Sequence, residues 1–278
     1  MGVHIDDPDG ILHKDNLDSI LNGNIEEGFK STIKFLKENG ISIDKKPKLE
    51  IIESPSRVIY KLIKSYISGE PIPSTVDIAL IFKMIWEHGR IWGLYIQPLE
   101  TVYVIKKPLK ETTFRLSNSL YENRIIGNGY SIIGIILSKY SRTIFPAYIN
   151  WGDDIKNTAA KITADIIMSY VLSRAFISED ELVASASGYL IYIYKNDELY
   201  NNPIAHKIIK GNIKKCKEYV EKEKKLDSRD LGGCLASIIT YKNNKNEQSS
   251  EVNIKDMIEK IKYLSKEDII NEIKSYKI

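Results

Sequence analysis

The chain has 278 residues, 43% of them hydrophobic and 28% charged, and its 40 lysines and arginines against 37 aspartates and glutamates leave a net charge of +3. Disorder of the whole chain would require low hydrophobicity with a large net charge, and neither is present. No apolar run approaches the ~18 residues of a membrane span, because the richest stretch, 125–137, is interrupted by Gly127, Gly129 and Gly134.

Residues 1–89 read as mostly helical. Asn24-Ile-Glu-Glu opens an amphipathic helix in which Ile25, Phe29, Ile33 and Leu36 recur at helical spacing, and Gly40 supplies a left-handed stop. A short strand over 49–52 precedes a helix over 55–68, with Val58, Ile59, Leu62, Ile63 and Tyr66 on one side. Ser74 and Asp77 make a capping box for a third helix that ends at His88 and Gly89.

Residues 90–195 read as β-rich. The runs 91–96 and 101–105 are β-branched and aromatic and flank Gln97-Pro98-Leu99-Glu100, the pattern of a hairpin. Further strands are expected over 112–116, 130–137 and 143–149, before a long helix over 154–176. Ser187 to Tyr194 reads as a strand with apolar or aromatic residues on both faces, hence a covered, central one.

From Pro203 the chain reads as helical to about Leu226, is interrupted at Gly232-Gly233, and passes a polar stretch over 242–250. Two short helices, 254–264 and 266–275, close it, the second capped by Ser265 and Asp268. The expected class is α+β: a helical N-terminal region, a central, mostly antiparallel sheet and C-terminal helices. Residues 1–241 form one core (helical 1–89, β-rich 90–195, helical 196–241), 242–250 a polar loop and 251–278 a C-terminal helical hairpin.

Composition also bears on setting. Ile (47) and Lys (33) are abundant and Gln (2) is scarce, a bias that points to a thermophilic source, archaeal or an archaeal virus, although AT-rich coding enriches the same residues. The first ten residues carry three aspartates and no basic start followed by an apolar stretch, so the expected location is cytoplasmic, or the virion for a viral protein. The two cysteines, Cys216 and Cys234, are too few for a disulfide framework and read as plain thiols. Residues 201–278 hold seventeen basic and twelve acidic side chains, a net +5 interleaved with Glu218, Glu221 and Glu223, which reads first as a solvated helix face and second as a nucleic-acid surface.

Several constellations could carry chemistry. Asp7-Pro-Asp9-Gly10-Ile-Leu, behind the apolar Val3-His-Ile5, resembles the first motif of haloacid-dehalogenase-type phosphohydrolases, and Gly152-Asp153-Asp154 resembles that family's late metal-binding aspartates. The resemblance implies Asp7 as nucleophile, Asp9 as acid/base and Mg held with Asp153 and Asp154. Ile11 stands where the family has Thr, Asn157 stands where a second acid is common, and the residues themselves read equally as a turn and a helix cap.

Trp86-Glu87-His88-Gly89 reads as a helix end rather than a ligand pair, since adjacent helical residues diverge by ~100°, and the four scattered histidines hold no zinc spacing. Glu179-Asp180-Glu181, ahead of the strand expected to end in Lys195, could serve a metal nuclease but reads as helix-start acids. Arg124 with Gly127-Asn-Gly129 reads as a glycine-rich turn, and Cys234 after Gly232-Gly233 as an inert buried cysteine. Tyr outnumbers Phe 17 to 6, and Tyr189, Tyr192 and Tyr194 on one strand are candidate binding residues together with the basic Lys214 and Lys215. With no convincing catalytic set, the expectation is a non-catalytic binding or assembly component with a protein partner or a second copy, and with nucleic acid as a further partner. The alternative is the Mg-dependent phosphohydrolase.

Overall fold

The computed structural model describes residues 17–43, 46–68, 92–96, 99–125, 133–134, 145–146, 155–196, 203–222, 226–245 and 253–276. These residues are mostly helical and carry a small mixed sheet, which is broadly α+β without a central antiparallel sheet.

Helix α1 (Leu17–Glu38) begins seven residues before the expected cap. Leu17 and Leu21 extend the stripe of Ile25, Phe29, Ile33 and Leu36, so burial continues one face for two further turns. Asn24 therefore lies inside the helix, where its amide donates to Ile20 O and to Asn157 Oδ1. The stop is as expected: Gly40 sits at φ 71°, and Ile41 N donates back to Leu36 O, a closure that needs a left-handed residue.

The sheet has the order β1 (Lys48–Ile52), β3 (Thr101–Ile105), β2 (Gly93–Ile96). β2 and β3 form the expected hairpin, whereas β1 joins β3 in parallel. The two pairings are tied at the turn, where Lys48 N donates to Glu100 O. Alternation assigns the faces: Val102, Val104, Leu49, Ile51 and Tyr95 join the main core, while Tyr103, Ile105, Ile52, Leu94 and Ile96 meet Val58 of α2 (Ser56–Ile67) on the other side. Every residue of β3 is buried, so the small sheet is covered on both faces.

Two expectations in the β-rich region give way, the strands over 112–116 and 187–194. Residues 112–116 belong to helix α3 (Lys106–Ile125), where Leu109, Thr113, Leu116 and Ser117 form a buried helical stripe. Within 130–137 and 143–149 the described residues are strands, as expected: β4 (Ile133–Gly134) and β5 (Phe145–Pro146), paired with each other. After α4 (Ile155–Phe176), residues 187–194 lie in helix α5 (Glu181–Lys195), not in a strand. Asp180 caps it, its carboxylate accepting from Leu182 N and Val183 N.

Helix α5 is buried from Leu182 to Tyr194 because α4, α7 (Ser228–Lys245), α8 (Ile254–Lys262) and α1 all pack on it. Two glycines set the spacing. A Cβ on Gly188 would lie 2.8 Å from Tyr170 Cα, and one on Gly232 would lie 2.8 Å from both Ala186 N and Leu182 O. Gly232-Gly233 thus does not interrupt a helix; it lets α7 approach the α5 backbone.

Helix α6 (Pro203–Glu221) and α9 (Lys266–Ser275) lie outside α7. Helix α7 continues to Lys245, into the stretch read as a polar loop. Ser265 and Asp268 form the expected capping box. Cys216 of α6 and Cys234 of α7, read as thiols, are joined in a disulfide with Cα atoms 6.0 Å apart. Spacing along the sequence could not show that two facing helices bring them together. Among the described helices none is long and apolar enough to cross a membrane.

Candidate functional site

Three groups of charged side chains are assembled by these elements. The first lies where α1, α4 and the last turn of α5 meet. Lys195 Nζ donates to Asp165 Oδ1 at 2.7 Å, Thr32 Oγ1 at 3.0 Å and Ser31 Oγ at 3.3 Å, which uses all three of its protons. Gly28 makes the room: a Cβ there would stand 3.2 Å from the Asp165 carboxylate. Both charged side chains are only 9% exposed, and burial pulls the Lys195 ammonium below its ordinary range while Asp165 opposes that shift.

The second group joins the end of α4 to the starts of α5 and α7. Glu181 accepts from Tyr170 Oη at 2.8 Å, Arg174 Nη1 at 2.9 Å and Arg229 Nε at 3.0 Å, and the Arg229 guanidinium stacks 5.5 Å from the centre of the Tyr170 ring. Burial, then the Glu181 charge, pushes the Tyr170 phenol up to about 12 against the pull of both arginines. Only seven of the 40 basic residues are arginine, and two of them meet here, where a planar fork suits a shared carboxylate.

The third group lies at the carboxyl ends of the parallel strands β1 and β3. Lys106 and Lys110 of α3 both pair with Asp18 of α1 and with Glu53 behind β1. It is the most open of the three, with the two carboxylates about half exposed. The hydrogen bond from Lys110 holds Asp18 below the usual carboxylate range, and the bond to Glu53 raises Lys106. Both shifts favour the charged forms of Asp18 and Lys106.

The sequence-derived candidates fare differently. Tyr189, Tyr192 and Tyr194 lie on α5 and are 2%, 3% and 9% exposed, so they build the core and present no stacking platform. Burial raises the phenols of Tyr189 and Tyr192. Lys214 and Lys215 are exposed on α6. Glu179, Asp180 and Glu181 start a helix, as read, but Lys195 stands at its far end, about 21 Å along the axis from Glu181 at ~1.5 Å per residue, so acids and lysine do not converge. Asp7, Asp9, Asp153, Asp154, His88 and Gly127 lie outside the described residues. Asp165, Tyr170, Arg174 and Arg229 were not singled out. The available signal was Asp165 itself, a lone acid in the apolar run 162–172 that burial obliges to find a partner.

No family model matches the sequence, and no curated protein or solved structure gives a significant match to it.

Proposed function

We propose that this chain works by binding, as a non-catalytic component of a protein or nucleoprotein assembly, with a thermophilic origin suggested by composition. The observation that carries the reading is how charge is used. Glu181, Lys195 and the Asp18–Lys110 group each tie two or three elements together. In contrast, Lys210, Lys214 and Lys215 of α6 and Lys222 just beyond it are exposed, with Glu218 and Glu221 among them. An exposed, lysine-rich face suits a partner with complementary negative charge, and a polyanion would be bound through counterion release. Titration of labelled DNA and RNA oligonucleotides at low salt tests this: binding should weaken steeply with added salt and be lost with Lys214→Glu/Lys215→Glu. Absence of retardation with every oligonucleotide removes nucleic acid and leaves protein partners.

A second reading, the aspartate-nucleophile phosphohydrolase, is favoured by one observation. Asn24 meets Asn157, and Gly28 meets Ala164, Asp165 and Met168, so α1 and α4 run in the same direction and the segments bearing Asp7 and Asp153 both precede helices that start at one end of the pair. Mg-dependent hydrolysis of an aryl phosphate, lost in Asp7→Asn, would establish this reading over the first.

A further inference from the structure

The chain contains two cysteines, and both are consumed in one bond. Among the described residues of α6, Cys216 lies in the middle of a buried stripe, between Ile209, Asn212 and Ile213 on one side and Val220 on the other. The helix packs chiefly, among the described residues, against α7, α9 and β5. Cys234 faces it from α7 beside Leu231, Leu235 and Ile238, and both sulfur-bearing residues are buried in the main core. The opposite face of α6 carries Lys210, Lys214 and Lys215 in solvent.

We infer that the Cys216–Cys234 disulfide is a staple that fixes the lysine-bearing helix α6 on α7, and that the fold shields it from reduction. Formation takes one proton and one electron from each thiol, and a small-molecule disulfide such as oxidised glutathione accepts them and leaves as two thiols. Breaking the bond requires a thiolate to reach a sulfur that both helices cover, so reduction waits for α6 to open. The inference is independent of what the lysine face binds.

The test uses the full chain refolded in a glutathione redox buffer. Alkylation under denaturing, non-reducing conditions should label no cysteine. In native buffer the reduction rate should become independent of reductant concentration once opening limits it. Hydrogen exchange of the reduced chain should show amides of 203–221 losing protection at least tenfold while those of α4 and α5 hold. Two labelled cysteines after refolding, reduction proportional to reductant throughout, or unchanged exchange in α6 would each overturn the inference. The Cys216→Ala/Cys234→Ala chain provides a second test: it should reproduce the exchange pattern of the reduced protein, and protection of α6 equal to that of the oxidised chain would contradict the role.

Discussion

Asp165 and Lys195 are each other's main compensation for leaving water, and a buried charge without its partner is the expensive case. Lys195→Met or Asp165→Asn alone should destabilise the chain by about 3–5 kcal/mol in urea denaturation. The double replacement Lys195→Met/Asp165→Leu should recover most of that loss, and a double variant as weak as the singles would show that the pair does more than neutralise itself. Glu181→Gln should cost about 1–3 kcal/mol, since it leaves two guanidinium groups facing a neutral amide. Tyr170 gives a pH signature. Its phenol is raised from 10.0 to about 12, so the folded chain keeps a proton that the unfolded chain sheds. The resulting stabilisation is whole below pH 10 and drains away as pH rises through about 12. Ultraviolet titration of tyrosinate should show the difference between the parent chain and Tyr170→Phe appearing near the upper value; a difference centred at 10 would contradict the pairing.

At the scale of elements, glycines separate helix approach from mere flexibility. Gly23 and Gly211 have open space around a would-be Cβ, within helices, so Gly→Ala at either should stabilise by about 0.5–1 kcal/mol. Gly232→Ala should instead destabilise by about 1–3 kcal/mol, because the methyl group meets the α5 backbone. Equal midpoints for the three in a denaturation series would refute the close α5–α7 packing. The same residues show where the sequence was legible. Amphipathic α1 announced itself by one-sided apolar spacing, α9 by the Ser265 cap, and the β2–β3 hairpin by β-branched runs around a turn. α5 did not, because a helix surrounded on every side has no polar face, and its Tyr-Leu-Ile-Tyr-Ile-Tyr run satisfies period 2 as well as period 3.6. Its length and the small run Ala184-Ser-Ala-Ser-Gly188 were the missed signs, since a central strand is shorter and has no need of close backbone approach.

Among the described residues, helices wrap α5, the small sheet lies against α4 through Gly93, and the disulfide joins the outer helix α6 to α7. Of the candidate site, the helix-start role of Asp180 and the exposure of Lys214 and Lys215 were readable, being local properties of a cap and of a charged helix face. The convergence of Asp165 with Lys195, or of Arg174 with Arg229, joins residues thirty to fifty-five apart and depends on how helices pack. We propose that the lysine face of α6 holds a polyanion or a second copy of the chain. Sedimentation velocity at low salt addresses it most directly, with the chain alone over a range of concentrations and then mixed with labelled oligonucleotides. A faster species, either self-associated or carrying oligonucleotide, should form and be reduced by Lys214→Glu/Lys215→Glu; one slow species throughout, unchanged by the charge reversal, would contradict the proposal.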